Sequence, residues 1–439
     1  MKHHKFHVAI IGAGLGGLAA AIGIAKAGHR VTIIERAPAL AEIGAGIQIP
    51  PNSTRILKQW GILENVESLS DRPEEFIFRS YRDGKVLSSV NLPALSEGKY
   101  GQPYLHIHRA DYHEVLVQEL YCLGGKVQLN SEVTGIDFNE PAIHIKGLPD
   151  VFPDIIIGAD GLKSKCRDSL LGRSNPPVIS GDMAYRCIIK AEKMKQNPIL
   201  ADLVQSHDLH YWIGPGQHIV CYKLRAGDLF NIVIACTDTL PETTDMSPAD
   251  INELRARVTG WDPKLQALLE LAEQGGVGRL MRVDEMETWI HSSGKFALLG
   301  DACHSTLPYI AQGAAQAIED GAVLGHLFEK ISQPSQLCDL LVIYEALRKS
   351  RTSRVVKAAT HGRRVLHLPD GPLQEERDRQ LLEETPFEGF PHPWADPVMQ
   401  EFLYGYDAQK EVDRAWERYL SGTFPSTTAA WRSAMKAEL

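Results

Sequence analysis

A glycine-rich turn near the start of the sequence could bind the phosphates of a dinucleotide. Gly12, Gly14 and Gly17 form a G-x-G-x-x-G pattern between a short apolar run at residues 8–11 and a stretch of small residues. The first glycine permits a tight turn, the second lets the backbone approach a pyrophosphate, and the third lets helix and strand pack closely. Glu35 follows the next apolar run, where its carboxylate can accept hydrogen bonds from a ribose. The segment predicts a βαβ unit that binds a dinucleotide.

A second group of residues, far downstream, indicates which dinucleotide this is. Gly300 and Asp301 end an apolar run, and Gly313 and Ala314 open a helix of small residues. A flavin dinucleotide needs an acceptor for its ribitol hydroxyls, such as Asp301, and backbone donors for its isoalloxazine ring. Small side chains would let the helix amides reach the ring, and the positive helix end favours the charge of reduced flavin. A nicotinamide dehydrogenase has no evident need for this second site, so we predict non-covalently bound FAD.

Composition and charge exclude several other classes of protein. The formal net charge of −9 argues against nucleic acid as a partner, and no polybasic run suggests a membrane anchor. The seven cysteines are scattered without a C-x-x-C pair, which favours a reducing compartment and hence a cytoplasmic location. The histidines lack the cysteine or carboxylate spacing of a zinc or iron site, so no metal is expected. A monomer or a homodimer is the expected assembly.

The order of apolar runs predicts the fold class. Runs typical of buried parallel strands occur at the start, near residue 155 and near residue 298, and an antiparallel block lies between the last two. We therefore expect an α/β fold with a discontinuous Rossmann-like FAD-binding domain, an inserted mixed or antiparallel substrate sheet and C-terminal helices. The expected divisions are residues 1–75, 100–180 and 286–360 for FAD, 76–99 and 181–285 for the substrate sheet, and 361–439 for the C-terminal helical region.

These motifs together resemble those of the single-component FAD-dependent aromatic hydroxylases. That family includes para-hydroxybenzoate hydroxylase, salicylate hydroxylase and their fungal relatives in secondary metabolism. The resemblance covers roughly residues 6–360 and follows the family's motif order. Its motifs are the N-terminal fingerprint, Gly158-Ala-Asp160-Gly161 with Ser164 and Arg167, Gly300-Asp301 through Pro308 and Gly313, and, as in the salicylate hydroxylase branch, Gly44-Ala-Gly-Ile-Gln-Ile-Pro-Pro-Asn. One departure is Ala311, where many relatives have a glycine.

The resemblance assigns roles to further residues around the cofactor. It implies that Asp160 serves both FAD and the nicotinamide cofactor, and that Arg109 contacts FAD. It also implies that Gly46 and Gln48 line the flavin and that Pro308 lies beside the reactive face of the ring.

The fungal members of this family hold a phenolate with an arginine and a tyrosine. The matching residues are Arg186 and Tyr222, and a guanidinium there would favour the ionised, more nucleophilic phenol. A strand-edge arginine and a core tyrosine are the alternative interpretation. The implied reaction uses NADH or NADPH and dioxygen to hydroxylate a small phenolic or aromatic substrate through a flavin C4a-hydroperoxide. A flavin epoxidase of an isoprenoid, a flavin oxidase or halogenase, and a non-enzymatic escort protein with an FAD-type fold remain as alternatives.

Overall fold

The structure is a computed structural model that describes residues 4–40 and 45–424. Gly44, the first residue of the Gly44-Ala-Gly-Ile-Gln-Ile-Pro-Pro-Asn motif, lies outside the described residues. Its strands carry the labels β1 to β17 in chain order. They are β1 (His7–Ile11), β2 (Arg30–Ile34), β3 (Gly46–Ile49), β4 (Glu75–Ser80), β5 (Val86–Asn91), β6 (Leu105–His108), β7 (Lys126–Gln128), β8 (Val133–Asp137), β9 (Ala142–Ile145), β10 (Ile155–Gly158), β11 (Val178–Lys190), β12 (Leu209–Gly214), β13 (Gln217–Leu224), β14 (Leu229–Thr237), β15 (Met246–Pro248), β16 (Gly276–Arg282) and β17 (Phe296–Leu298).

The helices carry the labels α1 to α15, again in chain order. They are α1 (Leu15–Lys26), α2 (Pro51–Trp60), α3 (Leu63–Glu67), α4 (Arg109–Cys122), α5 (Lys165–Leu171), α6 (Ala191–Met194), α7 (Ala201–Gln205), α8 (Ile251–Ala256), α9 (Pro263–Glu270), α10 (Asp301–His304), α11 (Gly313–Lys330), α12 (Leu337–Leu366), α13 (Pro372–Leu381), α14 (Pro397–Tyr404) and α15 (Ala408–Leu420). None of the helices in the described ranges is long and apolar enough to cross a membrane.

A five-stranded parallel sheet forms the centre of the first layer. Its strand order is β17-β10-β1-β2-β7, and all four strand pairs are parallel. The strands are nearly continuous runs of buried valine, isoleucine and alanine, because helices cover both faces of such a sheet. Helix α1 packs against α11 through Gly23, where a Cβ would come within 2.5 Å of the Gly321 carbonyl oxygen. The predicted Rossmann-like sheet is confirmed.

An eight-stranded mixed sheet forms the second layer. Its order is β15-β16-β11-β14-β13-β12-β4-β5, and the predicted meander of β12, β13 and β14 is present. The predicted hairpin at residues 76–87 joins the same sheet, since β4 pairs in parallel with β12. One face packs on helices α8 and α9, and the other faces the loops of the first layer. The α/β fold class is therefore confirmed, while the domain divisions stay a prediction.

Two smaller parts of the chain complete the surroundings of the site. Strands β3 and β6 form a two-stranded ribbon between the layers. Aromatic residues of the C-terminal region, Phe390, Trp394 and Tyr404, pack against the same face of the mixed sheet as Tyr211. The region beyond residue 360 therefore contributes to this buried face as well as forming helices.

Candidate active site

The carboxyl ends of three parallel strands bring the two predicted cofactor segments to one edge of the sheet. Strands β1 and β17 are separated by β10 alone, so their ends lie roughly 10 Å apart at the usual strand spacing. The turn after β1 also contacts the turn after β17, because a Cβ on Gly16 would lie 2.8 Å from Leu299 Cδ2. In open α/β sheets, ligands bind at this edge. The fingerprint turn and Asp301 thus face one region of the molecule.

The three fingerprint glycines differ in whether the protein leaves room for a side chain. Gly12 has a φ of +106°, and a Cβ there would lie 2.4 Å from the Ala159 carbonyl oxygen. A Cβ on Gly17 would lie 2.0 Å from the Gly12 carbonyl oxygen. Gly14, in contrast, has no atom within 4 Å of the position of a Cβ. The protein itself needs glycine at two of these positions, and the third opens onto free space where a cofactor could lie.

Two of the predicted cofactor carboxylates already bind backbone amides. Glu35 accepts hydrogen bonds of 2.8 Å from the amides of Ala13 and Ala37, which ties the end of β2 to the fingerprint turn. Asp160 accepts hydrogen bonds from Ser164 Oγ and from the amides at residues 165 and 166, so it caps the start of α5. Both Glu35 oxygens and Asp160 Oδ1 accept one hydrogen bond each and can accept another from a ligand, whereas Asp160 Oδ2 already accepts two. The ribose role of Glu35 and the cofactor role of Asp160 stay predictions.

Asp301 lies just after β17, at the carboxyl edge of the parallel sheet. Its side chain is exposed to solvent, yet the surrounding protein raises the pKa of its carboxyl, and the nearby charges of His304 and Arg109 act in the opposite direction. The Asp301 carboxylate is therefore accessible to a ligand although protein surrounds it. Cys303 and His304 follow Asp301 in α10 and are buried, and His304 Nε2 bonds the Asp320 carboxylate at 2.6 Å.

The loop between Asp301 and α11 presents the other predicted flavin residues. Pro308 is exposed, while Gly313 and Ala314 are half-buried at the first turn of α11. Ala311 adopts a left-handed φ of +51°, which explains why a glycine is common at this position in the resembling family. The departure from the family pattern therefore places an alanine in a backbone conformation that favours glycine.

A buried ionic network holds α11 in place behind this loop. Arg348 of α12 binds Glu319 and Asp320 of α11, and all three side chains are inaccessible to solvent. Burial acts to raise the pKa of Asp320, but His304 and Arg348 outweigh it and lower that pKa to about 2. Asn52 of α2 donates to Glu319 at 2.6 Å. These charges compensate one another. Their contacts hold α11 against α12, α10 and α2.

The β3–β6 ribbon carries Gly46, Gln48 and Arg109 to the same region. Gly46 donates its amide to Asn231 Oδ1 at 3.0 Å, and a Cβ on Gly46 would lie 2.6 Å from Tyr222 Oη. Gln48 Oε1 accepts from the Tyr104 hydroxyl at 2.6 Å. Arg109 begins α4, and its charge acts on both Asp301 and Arg186. The ribbon therefore connects the predicted cofactor cleft to the mixed sheet.

Arg186 and Tyr222 share one face of the mixed sheet. Arg186 pairs with Val233, which pairs with Val220, and Tyr222 follows two residues later on the same side. Arg186 is half-buried; burial and the neighbouring Arg109 lower its pKa, and Tyr222 has the opposite effect. Within the described residues, no carboxylate forms an ion pair with the Arg186 guanidinium. A half-buried cation without a counter-ion is ready to bind an anionic ligand.

Several polar residues on this face were missed by the sequence analysis. His218 lies on the same side of β13 as Tyr222, four residues away, and its Nδ1 lies 2.8 Å from Nε2 of His367. The His106 ring contacts the Tyr222 ring with centroids 4.3 Å apart and an angle of 39° between them, and burial lowers the pKa of His106 to about 3. His218 and Tyr222 stand four residues apart in a strand-like run, but only the sheet register shows which side each residue occupies.

A basic cavity lies on the other side of the Asp301 turn. It has a volume of about 410 Å³ and is lined by Cys303 and His304 of that turn together with Arg282, Lys357 and Arg364. Lys357 and Arg364 are exposed on α12 and form no ion pair with the part of the chain that the structure describes. Glu285 also lines the cavity and Arg282 is paired with Asp284, so its excess positive charge comes from Lys357 and Arg364.

The residues at the sheet edge fit FAD. The open position beside Gly14, at the start of α1, suits a pyrophosphate, and the carboxylate of Asp301 suits the ribitol hydroxyls. The ribbon and the exposed Pro308 flank the space between this edge and the mixed sheet, where the isoalloxazine would lie. No group of three or more histidine, cysteine, aspartate or glutamate side chains within residues 4–40 and 45–424 could hold a metal ion.

Comparisons with known proteins agree with this geometry. The family described as the FAD binding domain matches residues 5–359. The FAD-dependent monooxygenase OpS4 of Beauveria bassiana is 40% identical over 93% of this chain and 97% of its own length. The 6-hydroxynicotinate 3-monooxygenase of Bordetella bronchiseptica is 31% identical over 81% of this chain and 91% of its own. A solved salicylate hydroxylase complex superimposes with a TM-score of 0.78 at 23% identity, covering 93% of this chain and 97% of that one, and supports the fold.

The family match over most of the chain and the monooxygenase relatives along nearly its full length remove the escort-protein alternative. The chain belongs to the FAD binding domain family and is an FAD-dependent monooxygenase.

Proposed function

We propose that this chain hydroxylates a small phenolic substrate whose ionised hydroxyl is held by Arg186 and Tyr222. The observation that carries the proposal is the half-buried Arg186 guanidinium without a carboxylate partner among the described residues, on the same sheet face as Tyr222. The relatives named for 6-hydroxynicotinate and for salicylate hydroxylation support it, since both names denote a hydroxylated aromatic acid.

The two residues would make the substrate more reactive by stabilising its anion. An arginine beside an acidic group lowers the pKa of that group by about 1–3 units. The Tyr222 hydroxyl is neutral because burial raises its pKa above the ordinary value, so it can donate a hydrogen bond to a phenolate oxygen. The ionised ring is richer in electrons at the positions that take up oxygen.

The bound FAD would supply the redox chemistry, with NAD(P)H as the source of hydride and dioxygen as the source of the inserted oxygen atom. The protein's part is to hold the cofactor at the sheet edge, to orient the phenol on the mixed sheet and to keep water out of the space between them. Buried aromatic residues, including Tyr211, Trp394 and Tyr404, would form the dry wall of that space.

We also propose that the basic cavity beside Cys303 and His304 receives the phosphates of NAD(P)H. The support is its charge: Arg282, Lys357 and Arg364 line it, and it lies next to the turn that carries Asp301. Replacement of both Lys357 and Arg364 by alanine should raise the KM for NAD(P)H several-fold and leave the FAD content unchanged. An unchanged KM would place the nicotinamide cofactor elsewhere.

The substitution Arg186→Met tests the phenol proposal. The purified variant should retain FAD, but transfer of labelled oxygen from dioxygen into a phenolic product should fall by about 100-fold, as expected when one stabilising charge is lost. Arg173→Met is the matched control, because Arg173 is exposed on the surface. Full turnover of a phenol by Arg186→Met would contradict the proposal, and turnover of an isoprenoid instead would favour the epoxidase alternative.

A further inference from the structure

The face of the mixed sheet next to the proposed phenolate site carries a second polar position. Along β13, Tyr222, Val220 and His218 lie on one side of the sheet in the order polar, apolar, polar. Four residues of strand separate the Cα atoms of His218 and Tyr222 by roughly 13 Å. A benzene ring with oxygen substituents at opposite positions, plus a hydrogen bond at each end, spans roughly 11 Å at ordinary hydrogen-bond lengths. The two polar positions flank Val220 and are far enough apart for their side chains to contact opposite ends of one doubly substituted ring.

We propose that His218 is a specificity-determining residue that binds a second oxygen substituent of the substrate, opposite the hydroxyl held by Arg186 and Tyr222. The substrate class would then be an aromatic ring with oxygen groups at both ends, rather than a simple phenol. This inference rests on the proposed phenol hydroxylation and refines its substrate.

His367 positions the imidazole of His218 for this contact. The Nδ1 atom of His218 lies 2.8 Å from Nε2 of His367, so one ring donates a hydrogen bond to the other and Nε2 of His218 remains for a ligand. The backbone carbonyl of His367 also accepts from the amide of Gly216, in the turn before β13. The end of α12 and the β12–β13 turn thus hold the two rings together.

Aromatic neighbours fix the plane of the His218 ring. It stacks on Tyr211 with centroids 5.5 Å apart and an angle of 14° between the rings, and it lies 5.6 Å from Tyr309. Tyr309 follows Pro308, the residue predicted to lie beside the flavin ring. His218 therefore lies between the substrate sheet and the cofactor loop.

Burial favours the neutral form of both rings in the histidine pair. Burial lowers the pKa of His218 and brings that of His367 to about 4. The nearby Asp182 is already bound by Arg363 and by the Tyr309 hydroxyl, so its charge is compensated. A neutral pair can present either a donor or an acceptor at Nε2 of His218, depending on which ring carries the shared proton. A hydroxyl, which both donates and accepts, matches either state.

The test measures binding rather than turnover. The FAD-loaded protein is titrated anaerobically with hydroquinone and with phenol, and the change in flavin absorbance gives each Kd. Wild type should bind hydroquinone about tenfold more tightly than phenol, which corresponds to about 1.4 kcal/mol. His218→Phe keeps a ring against Tyr211 and should remove this preference, whereas His144→Phe, in the β8–β9 hairpin, should keep it.

Further variants separate a local effect from damage to the fold. His218→Gln retains hydrogen-bonding groups and should recover part of the preference. Arg186→Met should weaken the binding of hydroquinone and of phenol by the same factor. If neither affinity changes, the phenol proposal fails, but the effect of His218 on the preference for hydroquinone can still be measured. A wild type without a preference for hydroquinone, or a His218→Phe variant that retains it, would overturn the inference.

Discussion

The two neighbouring fingerprint glycines should respond to alanine in opposite ways. In Gly14→Ala, the added methyl group meets no protein atom within 4 Å, and the φ of −70° and ψ of 177° suit alanine. The poorer N-cap costs up to about 1 kcal/mol, and the stiffer unfolded chain offsets about 0.4–1 kcal/mol of it. The free energy of unfolding of the FAD-free protein should therefore change by less than about 1 kcal/mol. The methyl group would, however, occupy the space proposed for the pyrophosphate.

In Gly12→Ala, the cost falls on the protein itself. A φ of +106° is strained for alanine by about 1–3 kcal/mol, and the 2.4 Å approach to the Ala159 carbonyl oxygen adds about 1–3 kcal/mol of overpacking. We expect the unfolding free energy to fall by about 2–6 kcal/mol. Gly14→Ala should instead weaken FAD binding on the order of 10- to 100-fold.

The assay combines chemical denaturation of the FAD-free variants with titration of FAD, followed by the quenching of flavin fluorescence. The reasoning is refuted if Gly14→Ala binds FAD as tightly as wild type. It is equally refuted if Gly14→Ala destabilises the FAD-free protein as much as Gly12→Ala does, because the glycine would then serve the fold.

Three other substitutions probe the surroundings of the cleft. Asp301→Ala should give protein with little or weakly held FAD, measured as the flavin-to-protein absorbance ratio after gel filtration; a normal ratio would contradict the ribitol assignment. Gly46→Ala should push Tyr222 by about 1 Å and lower kcat by about 100-fold at unchanged FAD content, since the added Cβ would lie 2.6 Å from the Tyr222 hydroxyl; a normal kcat would show that this contact does not matter. Arg348→Met should lower the unfolding free energy by about 1.5–3 kcal/mol, because Glu319 keeps Arg351 and Asp320 keeps His304 but each buried carboxylate loses one charged partner; a change below about 0.5 kcal/mol in the free energy measured by denaturation would show that the fold does not need Arg348.

The pH dependence of stability should reflect Asp320. Its folded-state pKa of about 2 lies below its ordinary value, so the stability that it contributes is present above about pH 4 and is lost as the pH falls towards 2. Denaturation midpoints measured across this range should fall more steeply in wild type than in Asp320→Asn. Parallel pH curves for the two proteins would contradict this assignment.

Local sequence patterns predicted the elements that carry the cofactor residues. Helix α11 runs from Gly313 to Lys330 as expected, because its alanine and leucine residues favour a helix. Strands β1, β2 and β17 were evident as short apolar runs, since both faces of a parallel sheet are buried. The glycine spacing further indicated where the chain must turn.

Contacts between distant parts of the chain could not be predicted in the same way. The 2.8 Å approach of His218 to His367 joins residues separated by 149 positions, and neither residue stands in a recognisable motif. The hydrogen bonds of Asp160 to the start of α5 were also missed, because a cofactor motif and a helix cap use the same residue types. A single sequence shows which groups are present but not which partner each one meets.

The most direct test of the account is a crystal structure of the protein with FAD bound. We expect the pyrophosphate beside Gly14 at the start of α1, the ribitol chain on Asp301 and the isoalloxazine between the β3–β6 ribbon and Pro308, facing Arg186. A structure in which Gly14 and Asp301 do not contact the same FAD molecule would contradict the account.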